Sequence, residues 1–200
     1  MTTGIESAKQ QAALRWGVQA ADVLTDDFST EYFWASEHTI IGAAYSDAQQ
    51  RRRALVFAVT KAGEALPFGG PEDLGPINRF FAAERIAVPD GLPLDYFADA
   101  LGSFLGTTRG FVGSGTFLEE TARPRIQRWL RSPHDLELFS QHCRDPILEI
   151  EPKQWRLQFF YFTPRGAVES WSVTGRPSTI DEVAVSDALP AEAFKFPYVD

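Results

Sequence analysis

The chain has 200 residues, enough for one domain and at most two, and a hydrophobic share of 44% with 13% aromatics excludes intrinsic disorder as the dominant state. Lys plus Arg number 19 against 27 Asp plus Glu, a formal net charge of −8. A chain of that sign repels phosphate backbones on average, so no nucleic-acid partner is expected.

A single cysteine, Cys143, excludes an intramolecular disulfide and a zinc site built from cysteines. No apolar run approaches the roughly 18 residues of a membrane span, so no membrane partner is expected. The opening MTTGIESAKQQAALRWG lacks a basic region followed by an apolar run and does not read as a secretory signal. A soluble, cytoplasmic protein is the expectation.

Ser7 to Leu24 reads as a helix, with Ala12, Ala13, Trp16, Ala20 and Val23 near helical spacing, and Thr25-Asp26-Asp27 breaks the pattern. Thr39 to Tyr45 and Ala54 to Thr60 favour strands, joined by SDAQQRRR. Arg51 to Arg53 read as a solvated edge that discourages strand pairing. KAGE is a turn, and Ala65 to Phe68 a short return strand that Pro67 marks as an edge.

After the loop FGGPEDLGP, helices are expected over Pro76–Ile86 and Leu94–Leu105, separated by VPDGLP. A glycine-rich patch, Gly106 to Gly115, precedes further helices over Phe117–Leu130 and Pro133–Cys143. Ser132-Pro133 suits a helix start, with Ser as cap and Pro in the first turn. Ile147 to Glu151 is a short strand, and the tail from Ser178 to Asp200 reads as a short helix followed by the aromatic end FKFPYVD. Strands, then helices, then strands point to a single α+β domain over residues 1–200. Its antiparallel sheet would combine an N-terminal meander and a C-terminal hairpin, with a helical middle segment packed on it.

The most patterned stretch is WRLQFFYFTPRGAVESWSVTG, Trp155 to Gly175. Thr163-Pro164-Arg165-Gly166 suits a three-residue loop closed by a glycine bulge. That loop sets Tyr161 opposite Glu169, Phe159 opposite Trp171 and Leu157 opposite Val173. One face then gathers Trp155, Leu157, Phe159, Tyr161, Trp171 and Val173. The other carries Arg156, Gln158, Phe160, Phe162, Val168, Ser170 and Ser172. A two-residue loop would scatter the apolar face, because a slip of one residue changes every partner.

Motifs of catalysis are incomplete. RGFVGSGTF, Arg109 to Phe117, has no lysine for a phosphate loop and Leu118 where a dinucleotide fingerprint needs glycine. Ser114 lacks the flanking glycines of a hydrolase elbow. His142 and Cys143 are adjacent, hence about 100 degrees apart on a helix, and a helix C-terminus disfavours a thiolate. His134 and His142 stand two turns apart, too far to share a metal directly. No catalytic residue, metal or cofactor is therefore assigned.

Three readings follow. The first is a non-enzymatic protein-binding module, immunity-like or accessory, that neutralises or escorts a basic protein. Phe160, Phe162, Val168 and Arg156 would be its contact residues, an apolar patch within a polar rim. The second is an enzyme or small-molecule binder with a pocket between sheet and helices, to which His134, His142, Tyr161 and Glu169 would supply polar groups. The third is a homo-oligomeric subunit assembled through the hairpin.

Overall fold

The structure, a computed structural model, describes residues 4–48, 52–106, 132–142, 144–162 and 168–189. Its elements run α1 (Gly4–Trp16), a 3-10 turn (Ala20–Asp22), β1 (Leu24–Asp27), β2 (His38–Ser46), β3 (Arg52–Thr60), β4 (Ala65–Pro67), α2 (Gly75–Ala83), α3 (Leu94–Gly106), α4 (Pro133–His142), β5 (Ile147–Ile150), β6 (Trp155–Phe162), β7 (Val168–Arg176) and β8 (Thr179–Leu189). The α+β class, the antiparallel pairing and the helical middle agree with expectation. The strand groups do not join in one sheet. They form two four-stranded antiparallel sheets, β1-β2-β3-β4 and β5-β6-β7-β8. By internal packing the chain divides into two compact units, residues 1–86 with 104–112 and residues 87–103 with 113–200.

In the first unit, α1 stops eight residues short of the expected end. Gly17 takes a positive φ of 68°, the Val18 N–H bonds to the Ala13 carbonyl and the Gly17 N–H to that of Leu14. This is the left-handed helix stop that glycine favours. The freed chain turns once and then pairs Leu24 to Asp27 with Ile41 to Ala44. Thr25-Asp26-Asp27 is thus an outer strand and not merely a break. Its poor strand propensity is overridden by pairing with a neighbour.

Alanines let α1 approach its sheet closely. Ala8, Ala12 and Ala13 form a core with Ile41, Ala43, Leu55, Phe57 and Val59. Ile40, Val56 and Ala58 are buried as well, so both faces of the sheet are covered. A second, aromatic core holds Phe68 stacked on Phe104 at 4.5 Å and Phe80 at 5.6 Å from Phe104. Tyr32 and Trp34, from the loop before β2, close over it. Helix α2 also ends three residues early. Arg85 adopts φ 59° and the Ile86 N–H reaches the Phe81 carbonyl, the same left-handed stop made without a glycine.

In the second unit the hairpin register is the expected one: Tyr161 opposite Glu169, Phe159 opposite Trp171, Leu157 opposite Val173. The six residues of its apolar face are all buried. Phe159 and Trp171 stack at 5.5 Å with an interplanar angle of 22°. Close approach at two glycines seats this face. The Tyr161 ring lies where a side chain at Gly102 of α3 would stand, and the Trp155 ring covers Gly175. Phe97 of α3 meets Trp155 edge-on at 5.9 Å, and Trp155 Nε1–H donates to the Arg176 carbonyl at 2.9 Å.

The tail expectation needs correction. Residues 179–189 are not helical but form β8, which pairs along β7 through a turn at Pro177-Ser178, with Ser178 at φ 69°. DEVAV favours a helix by composition, yet Val183 and Val185 alternate with Glu182 and Ala184 at the strand period. The turn Thr163 to Gly166, the patch beyond Gly106, the helix expected over Phe117–Leu130, Cys143 and the end FKFPYVD lie outside the described residues.

Candidate functional site

Alternation along four paired strands gives the second sheet one buried face and one open face. The register arranges the open face in rows across the strands. The first row is charged: Glu149, Arg156, Thr174, Glu182. The second is Ile147, Gln158, Ser172, Ala184. The third holds Phe160, Ser170 and Ser186. Beyond it Val168 stands opposite Phe162 in the register and is fully buried.

A groove of about 240 Å³ runs along the second and third rows. Gln158, Phe160, Ser170 and Ser172 form its floor, Ile147 one side, and Gln141, Arg144 and Asp145 the wall where α4 ends and the chain leads into β5. Phe160 is half-buried there, while Gln158, Arg144 and Asp145 are exposed. A smaller depression of about 100 Å³ lies on the ionic row between Glu149, Arg156 and Thr174.

The residues expected to matter separate accordingly. Phe160 lines the groove, and Arg156 is exposed on the ionic row. Val168 is fully buried, and the Phe162 side chain lies outside the described residues. Tyr161 and Glu169 are brought together on the opposite, buried face: the Tyr161 hydroxyl is 3.3 Å from Ser103 Oγ, and Trp171 Nε1–H donates to Glu169 at 3.1 Å. His134 is exposed on α4, and the His142 side chain is not among those described.

The first unit holds a polar cluster that the sequence reading passed over. The Glu84 side chain is fully buried at the end of α2. It accepts from the Ser36 N–H at 2.6 Å, the Glu37 N–H at 3.0 Å and His38 Nδ1 at 2.7 Å. Burial pushes the Glu84 carboxyl upward, but the His38 hydrogen bond, the Glu37 and Ser36 N–H groups and the charge of His38 outweigh it and hold the group below its ordinary value. The His38 ring packs edge-on against Phe80 at 5.4 Å. One carboxylate thus fastens the start of β2 to the end of α2, and the left-handed Arg85 follows it directly.

No protein-family model, curated protein or solved structure matches this chain. The site is accordingly argued from its own chemistry.

Among the described residues no three His, Cys, Asp or Glu side chains gather to hold a metal ion, and no helix is long and apolar enough to cross a membrane. The Glu84–His38 pair has the form of an oriented imidazole, but every donor on the carboxylate comes from residues 36–38, which is the arrangement of a clamp. The groove has room for a ligand, and the first unit carries a wider depression of about 760 Å³ bordered by Gly4, Ile5, Thr39 and Lys61. The aromatic floor of the groove was legible from strand alternation. Its wall was not, because Gln141, Arg144 and Asp145 join it through tertiary structure that no local pattern announces. Glu84 had one weak signal, a carboxylate at a helix C-terminus, where the helix dipole disfavours it unless local donors compensate.

Proposed function

We propose that the protein is a non-enzymatic binding module that recognises a protein partner through the open face of its second sheet. One observation carries the reading: Phe160 stands half-buried in a groove edged by amides, hydroxyls and charged side chains. An apolar centre inside a polar rim is the anatomy of an interface. The net charge of −8 favours a basic partner, because complementary charge speeds encounter and disfavours acidic competitors.

The test replaces Phe160 by Ser. The ring is only partly buried and removing it is expected to cost about 1–2 kcal/mol, so the variant stays folded in urea titrations. Wild type and variant are then used side by side as bait, with crosslinks mapped to residues. A partner crosslinked near Gln158 and Ser172, and lost by the folded variant, supports the reading. Equal capture by both moves the interface off this face.

A second reading, a small-molecule binder, is favoured by the concavity of the groove. About 240 Å³ lies just below the roughly 300–1,000 Å³ of ordinary ligand pockets, which is room for a single ring.

A further inference from the structure

The lining of the groove restricts what can occupy it. Arg144 and Asp145 stand on one wall. An anion placed there pairs with the Arg144 guanidinium but is repelled by the Asp145 carboxylate, and a cation meets the reverse, so a single charge of either sign gains little net attraction. A lipid chain or a purely apolar group would cover the polar groups of Gln158, Ser170 and Ser172 without offering them hydrogen bonds. A neutral ligand escapes both penalties if it donates and accepts at several positions.

Side-chain amides and hydroxyls each do both, and a carboxylate and a guanidinium add one strong acceptor and one strong donor. Phe160 adds an apolar plate, half-exposed between these groups. A sugar ring has the matching form: hydroxyls around its edge that donate and accept, and a face of C–H groups that covers an aromatic ring. The groove is open and shallow enough for a ring within a longer chain to rest in it.

We infer that this groove takes a neutral saccharide, with one ring seated on Phe160 and its hydroxyls bonded to Gln158, Ser170, Ser172 and the Arg144–Asp145 wall. The inference rests on reading the groove as a recognition site, and it commits the second reading above to a ligand class.

The test is a titration of the isotope-labelled full chain followed by amide NMR. The probes are glucose, galactose, mannose, N-acetylglucosamine and cellobiose, with acetate, inorganic phosphate and lysine as charged comparisons. The expected result is saturable shifts at Gln158, Phe160, Ser170 and Ser172 from at least one sugar. Phe160→Ala should weaken that sugar by about tenfold or more, and Phe160→Trp should retain it, since stacking needs only an aromatic face. Ser172→Ala, a small change on the open face, should weaken binding in a protein whose spectrum is otherwise unaltered. That variant decides the matter if Phe160→Ala fails to fold. No saturable shift from any sugar overturns the proposal, as do shifts from the charged probes alone or sugar binding indifferent to Ser172→Ala. If the sugars fail while Phe160→Ser still loses a crosslinked partner, the ligand class is wrong and the recognition face stands. If both fail, the face itself is wrong.

Discussion

Glu84 ties the end of α2 to the start of β2 in the first unit. Its carboxylate is buried and satisfied by two backbone N–H groups and His38, so neutralising it leaves buried donors facing a poorer acceptor. Glu84→Gln keeps the shape and removes the charge, and is expected to cost about 1–3 kcal/mol at neutral pH by urea unfolding. The pH dependence has a definite sign. The folded carboxyl sits below its ordinary value, so its contribution is complete above the unfolded-state value and fades as pH falls through the folded one. The gap between wild type and Glu84→Gln should therefore narrow on acidification. A gap that stays constant into acid would mean that the charge of Glu84 is not what the clamp uses.

At the scale of elements, local pattern and tertiary context divide the chain between them. The β6–β7 register followed from the turn chemistry of Thr163 to Gly166 together with alternation, because a slip of one residue would scatter Phe159, Tyr161 and Trp171. Strand β1 and the early stop of α2 did not follow. The two aspartates of Thr-Asp-Asp disfavour a strand, and Arg85 gives no glycine signal for the left-handed residue that ends the helix. β1 is held by pairing with β2, and the end of α2 is fastened by residues 36–38 bonded to Glu84. The seating of α3 on the second sheet is another long-range fact. Gly102 reads as a weak point in a helix, yet the Tyr161 ring occupies the space its side chain would need. Gly102→Ala improves helix propensity by up to about 1 kcal/mol but forces the ring and helix apart, and overpacking of this kind costs about 1–3 kcal/mol. Net destabilisation is expected in urea titration, whereas a more stable variant would show that the Tyr161 ring yields without cost.

For the molecule as a whole, the open face was legible as a face but not as a groove, since strand period says which side chains share a side and nothing about the wall built by α4. The same logic reaches the outer edge of the second sheet. β8 is eleven residues long, pairs with β7, and is the last strand of its sheet among the described residues. A long outer strand is a template for pairing with another copy. Asp181, Glu182 and Asp187 stand exposed along it, with Arg176 holding Asp181 at 2.8 Å. In an antiparallel pair of two β8 strands centred on Ala184, Asp181 of each copy faces Asp187 of the other, and like charges directly opposite are destabilising. The acidic edge therefore opposes pairing of two copies through β8. Replacing Glu182 and Asp187 by Val removes that repulsion and raises strand propensity. The double variant is expected to dimerise or aggregate at concentrations where light scattering finds wild type monomeric. If wild type is itself a dimer that the charges do not oppose, or if the neutralised strand stays monomeric, the acidic residues of β8 have some task other than keeping copies apart.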